Sequence, residues 1–218
     1  MVKAYDGRTV LSDISLTVSP GEVLGISGPS GSGKTTLLRV IAGQVDPDAG
    51  SVRLSGVTLT DADVLIEKDR RNLMLVEQDA VLDRDHNVAA NIATGLPSDK
   101  RRRRIGAHRV AMMMDLFELE TALADSRPAE LSAGQRQRVA MARALVGFGL
   151  GGPEAAVLLD EPLSAVEIAS RTRLLLAAFA DVAEQPIPIV LVSHDREEIA
   201  AVSTRPAALA DGRLITAG

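Results

Sequence analysis

The chain has 218 residues, no cysteine and a net charge of −5, which excludes disulfides, thiolate metal sites and a cysteine nucleophile and argues against a whole-surface nucleic-acid binder. Its length predicts one large domain with an inserted subdomain, able to bury about 70% of the surface that the unfolded chain exposes. With 46% hydrophobic but only 2% aromatic residues, that core must be aliphatic.

In chain order, Val10, Ile14, Leu16 and Val18 precede a Pro20-Gly21 turn, and their alternation predicts a half-buried strand in an antiparallel opening. Val23 to Ser27 reads as a short buried strand running into glycines, and Thr35 to Ala42 as a helix ended by Gly43. Short strands follow at Ser51 to Leu54, Val57 to Leu59 and Leu73 to Val76, the first two joined by a Ser55-Gly56 turn. From about Val88 to Leu145 the pattern turns helical, with an interruption near Arg127-Pro128 and an excess of Lys and Arg that the acidic remainder lacks. Ala155 to Leu159 and Ile187 to Val192 are apolar runs of strand length on either side of the amphipathic stretch Ser170 to Ala183. Strands alternating with helices predict a parallel α/β sheet. The longest apolar stretch, Ala144 to Pro153, is far short of the ~20 residues a bilayer span requires. Lys3, Tyr5, Asp6 and Arg8 follow Met1 with no signal-peptide core behind them, so the expected location is the cytosol.

Residues 28 to 36 read Gly28-Pro29-Ser30-Gly31-Ser32-Gly33-Lys34-Thr35-Thr36, which fits the phosphate-loop pattern GxxxxGK(S/T). Glycines let successive N–H groups turn inward as an anion nest at a helix N-terminus, where the helix dipole already favours negative charge. Lys34 is placed to reach the terminal phosphates and the Thr35 hydroxyl to ligate Mg²⁺. A flexible Gly-Ser loop is the plain alternative, but this one follows a predicted strand and opens a predicted helix. Ala156 to Leu159 is an apolar strand ending in Asp160, Glu161 and Pro162, and ligands of open α/β sheets lie at the carboxyl ends of strands. Asp160 is therefore expected to hold Mg²⁺ directly or through water, and Glu161 to orient and deprotonate an attacking water.

Together with further segments these residues resemble the ATP-binding cassette ATPases that drive membrane transporters, and the resemblance runs over essentially the whole chain. Beside the phosphate loop and Val157-Leu158-Leu159-Asp160-Glu161-Pro162, it rests on four segments: Gln78 within Val76 to Asp79; Leu131-Ser132-Ala133-Gly134-Gln135-Arg136-Gln137-Arg138; Ser164 to Glu167; and His194 within Val192 to Asp195. It implies a P-loop α/β core with a mostly parallel sheet at about 1–87 and 146–218, including an N-terminal antiparallel β subdomain, and an inserted α-helical subdomain at about 88–145, all within one domain over 1–218. It implies ATP and Mg²⁺ as cofactors, contact of Gln78 with Mg²⁺ or the water and coupling to a transmembrane partner, and contact of His194 with the γ-phosphate. Tyr5 sits where the family stacks an aromatic on adenine; an edge-of-sheet filler is its other reading. Ser132 and Gln135 have the spacing of a capping box, while in the family Ser132, Ala133, Gly134 and Gln135 serve the ATP held by the opposite subunit. The family usually has Gly in place of Ala133 and Asp in place of Glu167, and another strand ahead of Tyr5.

The partners so implied are a second copy or a paralogous cassette, in an ATP-sandwich dimer, and transmembrane permease subunits, with the chain peripheral on the inner face of the cell membrane. Its length is that of a nearly minimal cassette, expected to end without an appended regulatory domain. Import is favoured over export, because Asn87 to Leu96 resembles importer cassettes. The basic run Lys100 to Arg104 is the feature that favours an alternative, a nucleic-acid-associated or regulatory ATPase. No aromatic stands within the run to stack on bases, and nucleic acid is not an expected partner. The run is read as the solvated start of a helix capped by Ser98, with Ile105, Met112, Met113, Leu116 and Phe117 turned inward.

Overall fold

The structure, a computed structural model, describes residues 1–79, 81–97, 103–148, 156–182 and 187–216. The chain forms two compact units: Met1–Leu75, Ala155–Glu161 and Pro186–Gly218 make the first, and Val76–Glu154 with Pro162–Gln185 the second.

The first unit opens with a hairpin of β1 (Lys3–Tyr5) and β2 (Arg8–Leu11). Asp6 and Gly7 turn it with positive φ of 48° and 77°, the pair of left-handed residues that matches strand twist. The strand expected over Ile14 to Val18 does not form as a ladder. The alternation is real in burial, with Ile14 buried and Leu16 and Val18 half-buried. Pairing, however, stops at Met1, whose amino group donates to the Ile14 oxygen and whose oxygen accepts from the Ile14 N–H.

β3 (Val23–Ser27) is buried at every residue and forms the middle of a six-stranded sheet of order β10-β9-β3-β8-β7-β6. Its members are β6 (Met74–Val76), β7 (Val157–Asp160), β8 (Ile189–Ser193), β9 (Arg205–Ala210) and β10 (Arg213–Thr216). β3 is parallel to β8 and β9, β7 is parallel to β8, and β10 returns antiparallel on β9. Strands buried on both faces read as continuous apolar runs, which made β3, β7 and β8 visible in the sequence. Helix α1 (Lys34–Ala42) ends at Gly43 in the left-handed conformation, and Leu37, Leu38 and Val40 from it join Leu24, Ile26, Leu158, Val190, Val192 and Leu209 in an aliphatic core. A second hairpin, β4 (Val52–Leu54) and β5 (Val57–Thr60), is tied to α1 by Arg71. Arg71 is 4% exposed, and its guanidinium donates to Thr60 Oγ1 and to the oxygens of Val40 and Ile41 at the helix C-terminus, where a cation also complements the helix dipole. Helix α6 (Arg196–Val202) completes the unit between β8 and β9.

The second unit is helical: α2 (Val88–Ala93), α3 (Arg103–Leu116), α4 (Ala133–Leu145) and α5 (Ile168–Val182), with one 3₁₀ turn at Thr121–Asp125 and another at Pro128–Glu130. Arg109 and Asp181 join α3 to α5 through a two-pronged ion pair. Met113 on α3 and Phe117 just beyond its end are buried as expected and Leu116 is half-buried, but Ile105 and Met112 are 54% and 43% exposed. The inward stripe instead runs through Val110, Met113, Met114 and Phe117, the i, i+3, i+4, i+7 face of a helix that packs on one side. The Ser98 cap and most of the basic run lie outside the described residues. Among the described residues, no helix is long and apolar enough to cross a membrane.

Candidate functional site

Three adjacent strands of the first unit bring their carboxyl ends together. Ser27 at the end of β3 is in register with Ser193 at the end of β8, and Asp160 at the end of β7 with Val192 beside it. The phosphate loop, the Asp160-Glu161 pair and His194 therefore leave the sheet at one edge, the place where open α/β sheets bind ligands.

The phosphate loop continues from β3. Gly33 holds φ of 104° at the N-cap of α1, a conformation that costs an L side chain, and no side chain caps this helix. Its first turn thus presents N–H groups that have no intrahelical acceptor, at the positive end of the dipole. Pro29, Ser30 and Gly31 are exposed, whereas Gly28, Ser32 and Lys34 are buried and Thr35 and Thr36 half-buried. Lys34, 5% exposed, is folded into the loop: Nζ donates to the Gly28 oxygen at 2.8 Å and the Pro29 oxygen at 3.1 Å, and lies 3.9 Å from Glu161 Oε1. The buried Ser32 hydroxyl has no hydrogen-bond partner.

Glu161 takes a left-handed φ of 45° while its N–H still donates to the Val192 oxygen at 3.0 Å. Such strain in a residue other than glycine persists where the surroundings enforce it. Here the turn sets the Glu161 carboxylate between Lys34 and His194, whose Nδ1 is 3.0 Å from Oε2. Because the carboxylate accepts, Nδ1 carries the hydrogen and Nε2 is left to deal with a ligand. The side chain of His194 is 57% exposed and that of Glu161 13%. Behind His194, Ser193 donates to the buried Glu198 carboxylate and accepts from the Asp195 N–H, and Asp195 caps α6 by accepting from the Glu197 and Glu198 N–H groups. Glu198 fixes the turn that carries His194, a role that only the three-residue spacing after Asp195 hints at in the sequence.

Asp160 is 3% exposed. Burial pushes its carboxyl above the usual carboxylate range, the Thr35 hydroxyl hydrogen bond opposes this, and the negative Glu161 adds to it. One of its oxygens, Oδ1, is buried with no hydrogen-bond partner. An orphaned carboxylate oxygen beside a threonine hydroxyl is a hard-oxygen donor set of the kind that Mg²⁺ takes from a protein when phosphates and waters complete its shell. Among the described residues no cluster of three or more His, Asp or Glu could hold a metal by itself.

The raised Asp160 value carries a sign that can be tested. A carboxyl whose folded pKa lies above its ordinary value near 3.8 contributes stability that is full below that value and is lost as pH rises through the folded pKa. With no nucleotide or divalent cation, Asp160→Asn is therefore expected to unfold at a higher temperature than the wild type at neutral pH, with the gap shrinking toward acid pH. A gap that does not vary with pH in thermal scans contradicts the buried-charge account.

Tyr5 ends β1, is 43% exposed, and has Lys3 Nζ 5.3 Å from its ring centroid. It belongs to the first unit, as do Lys34, Thr35, Asp160, Glu161 and His194. Gln78 and Ser132 to Gln135 belong to the second unit. There Ser132 caps α4 by accepting from the Gln135 N–H at 3.2 Å, and Gln135 Oε1 accepts from the Ser132 N–H at 2.8 Å. The expected capping box is present, and α4 begins directly after it at Ala133. Ser132 and Ala133 are exposed, and a hydroxyl that accepts from Gln135 still has its own hydrogen to donate. Gln78 is exposed, and its backbone oxygen accepts from Gln137 Nε2.

The family model described as "ABC transporter" matches residues 11–164. The chain belongs to this family. Curated relatives include the Fe(3+) ions import ATP-binding protein FbpC of Pseudomonas fluorescens, 40% identical over 216 residues, and FbpC 2 of Pectobacterium atrosepticum, also 40% identical over 216 residues. FbpC 2 of Rhodococcus jostii is 39% identical. These alignments cover 99% of this chain but only 59 to 60% of each relative, so the chain spans about three-fifths of the length of the curated relatives it matches. Among solved structures, the dimeric bacterial ABC transporter cassette MJ0796 superimposes with a TM-score of 0.79 at 28% identity, over 98% of this chain and 92% of that one. The same cassette in a post-hydrolysis state bound to ADP and Pi gives 0.78 at 27% identity, with the same coverage. The ABC cassette fold, a mixed α/β P-loop architecture with a mostly parallel sheet, is thus the fold of this chain.

Proposed function

We propose that this cassette is the ATP-binding and hydrolysing subunit of an ABC importer. The observation that carries the reading is the Glu161 carboxylate, held 3.9 Å from the Lys34 ammonium and 3.0 Å from His194 Nδ1 at the open end of the phosphate loop. Phosphates of ATP lie against the N-terminus of α1, and Lys34 exchanges its loop carbonyls for the β- and γ-oxygens. Glu161 orients the attacking water and takes its proton, and His194, pinned through Nδ1, offers Nε2 to the γ-phosphate. Thr35 and Asp160 are the residues that would hold Mg²⁺, which supplies neutralisation of charge on the phosphates when bound. Gln78 keeps the role that the resemblance implies, coupling the nucleotide's state to the membrane partner, and Tyr5 serves as the adenine platform.

The cassette works as a dimer, with Ser132, Ala133, Gly134 and Gln135 turned to the ATP of the opposite subunit; the exposed hydroxyl at an α-helix N-terminus supports this. We read residues 1–218 as one ABC ATPase domain whose inserted helical subdomain, about 88–145, meets the permease on the inner face of the membrane. Import rather than export is supported by relatives whose names describe Fe(3+) import. The test is phosphate release by the purified chain with and without Mg²⁺, together with identification of the membrane protein that co-purifies with it. Mg²⁺-dependent release and a permease are expected; release that depends on added DNA or RNA at physiological salt overturns the transport reading in favour of a nucleic-acid ATPase.

A further inference from the structure

Within the second unit, one side chain of α4 holds three points of backbone and side chain that are distant in sequence. Gln137 Nε2 donates to the Gln78 backbone oxygen at 3.2 Å and to Ser164 Oγ at 2.9 Å, and its Oε1 accepts from the Ala165 N–H at 2.8 Å. An amide has two donor hydrogens and one oxygen, so both hydrogens and the oxygen are engaged. The same helix turn is pressed against the same loop: a Cβ placed on Gly134 meets the Ala165 oxygen at 3.2 Å, so the loop crosses where α4 has no side chain to hold it away. Ser164 and Ala165 follow Glu161 by three and four residues, and Gln78 lies just beyond β6.

We infer that Gln137 is a positioning residue for hydrolysis, a brace that fixes the Gln78 segment and the loop after Glu161 to the first turns of the helix capped by Ser132. The inference rests on the ATPase reading above and names the residue through which α4, Gln78 and the Ser164 loop move as one body. All three of its bonds are made within the second unit, so it acts on turnover and not on ground-state binding of nucleotide.

The test compares Gln137→Ala and the near-isosteric Gln137→Glu in the full chain, measuring kcat, the Kd of a fluorescent ATP analogue and the Tm. Gln137→Ala is expected to lower kcat about tenfold with Kd within about twofold of wild type and Tm unchanged, the pattern of an interaction that matters only beyond the ground state. Gln137→Glu keeps the acceptor for Ala165 but offers Gln78 a carboxylate in place of a donor, and is expected to lose about threefold to tenfold in kcat with the same Kd. Wild-type kcat in both variants, or a loss of kcat matched by an equal loss in Kd or by a fallen Tm, overturns the brace. Should Gln137→Ala fail to fold, Gln137→Glu decides alone by the same criteria. Glu161→Gln in the same assay separates the two readings: if it loses turnover while both Gln137 variants keep theirs, only the brace falls, whereas full turnover in Glu161→Gln removes the hydrolysis reading beneath it.

Discussion

Replacing Glu161 with glutamine is expected to lower ATP turnover by about 10²–10⁴-fold, the usual contribution of a positioned general base, while leaving ATP binding intact. The amide is nearly the same size as the carboxylate, so the turn at φ of 45° and its hydrogen bond to the Val192 oxygen should survive. What is lost is the capacity to accept a proton and the charge that draws both Lys34 and His194. Removing that charge beside the phosphates also lessens repulsion of the nucleotide, so binding should tighten if it changes at all. The ATP-bound dimer then has no route to products and should accumulate as a species of doubled mass in gel filtration. A Glu161→Gln protein that turns over ATP at the wild-type rate would remove this residue from the chemistry and leave the acid pair without its proposed division of labour.

The second large effect concerns Lys34. In Lys34→Ala the phosphates lose a charge-assisted donor, and each hydrogen bond to a charged group is worth about 1.5–3 kcal/mol. Two such contacts, to the β- and γ-oxygens, correspond to a loss of affinity of roughly 10²–10⁴-fold. Titration calorimetry with ATP should therefore show no measurable heat at concentrations that saturate the wild type. The fold should tolerate the change, because the loop carbonyls of Gly28 and Pro29 lie next to exposed positions that water can reach. Tight ATP binding by Lys34→Ala refutes the phosphate-loop assignment outright.

Much of this arrangement is legible in the sequence because buried parallel strands leave a plain signature. Val23 to Ser27, Ala156 to Leu159 and Ile187 to Val192 are apolar runs that end in glycine, carboxylate or histidine, and the register of the sheet turns those three endings into one site. The last strands were not legible. Arg205–Ala210 pairs with both β3 and β10 yet contains Pro206, and proline inside a ladder ordinarily argues against an interior strand. Helix α6 spans only seven residues, too few to show a period. Ile14 to Val18 errs the other way, because alternation reports which side chains are buried and is silent about whether a neighbouring strand supplies hydrogen bonds. Within the site, residue types were readable but joint positions were not. Gln137 finds its partners 59, 27 and 28 residues away, and only the folded chain can show that a single amide serves all three.

The inward fold of Lys34 has a thermodynamic consequence. A free lysine side chain carries about 2 kcal/mol of rotamer entropy, which ordinary surface lysines surrender only when a ligand arrives. Here two loop carbonyls have already drawn Nζ in, so that ordering is charged to folding and not to nucleotide capture. Affinity for ATP and stability of the empty cassette are linked through one ammonium group, and a change that merely loosens the loop around it weakens capture without touching any atom that meets the nucleotide.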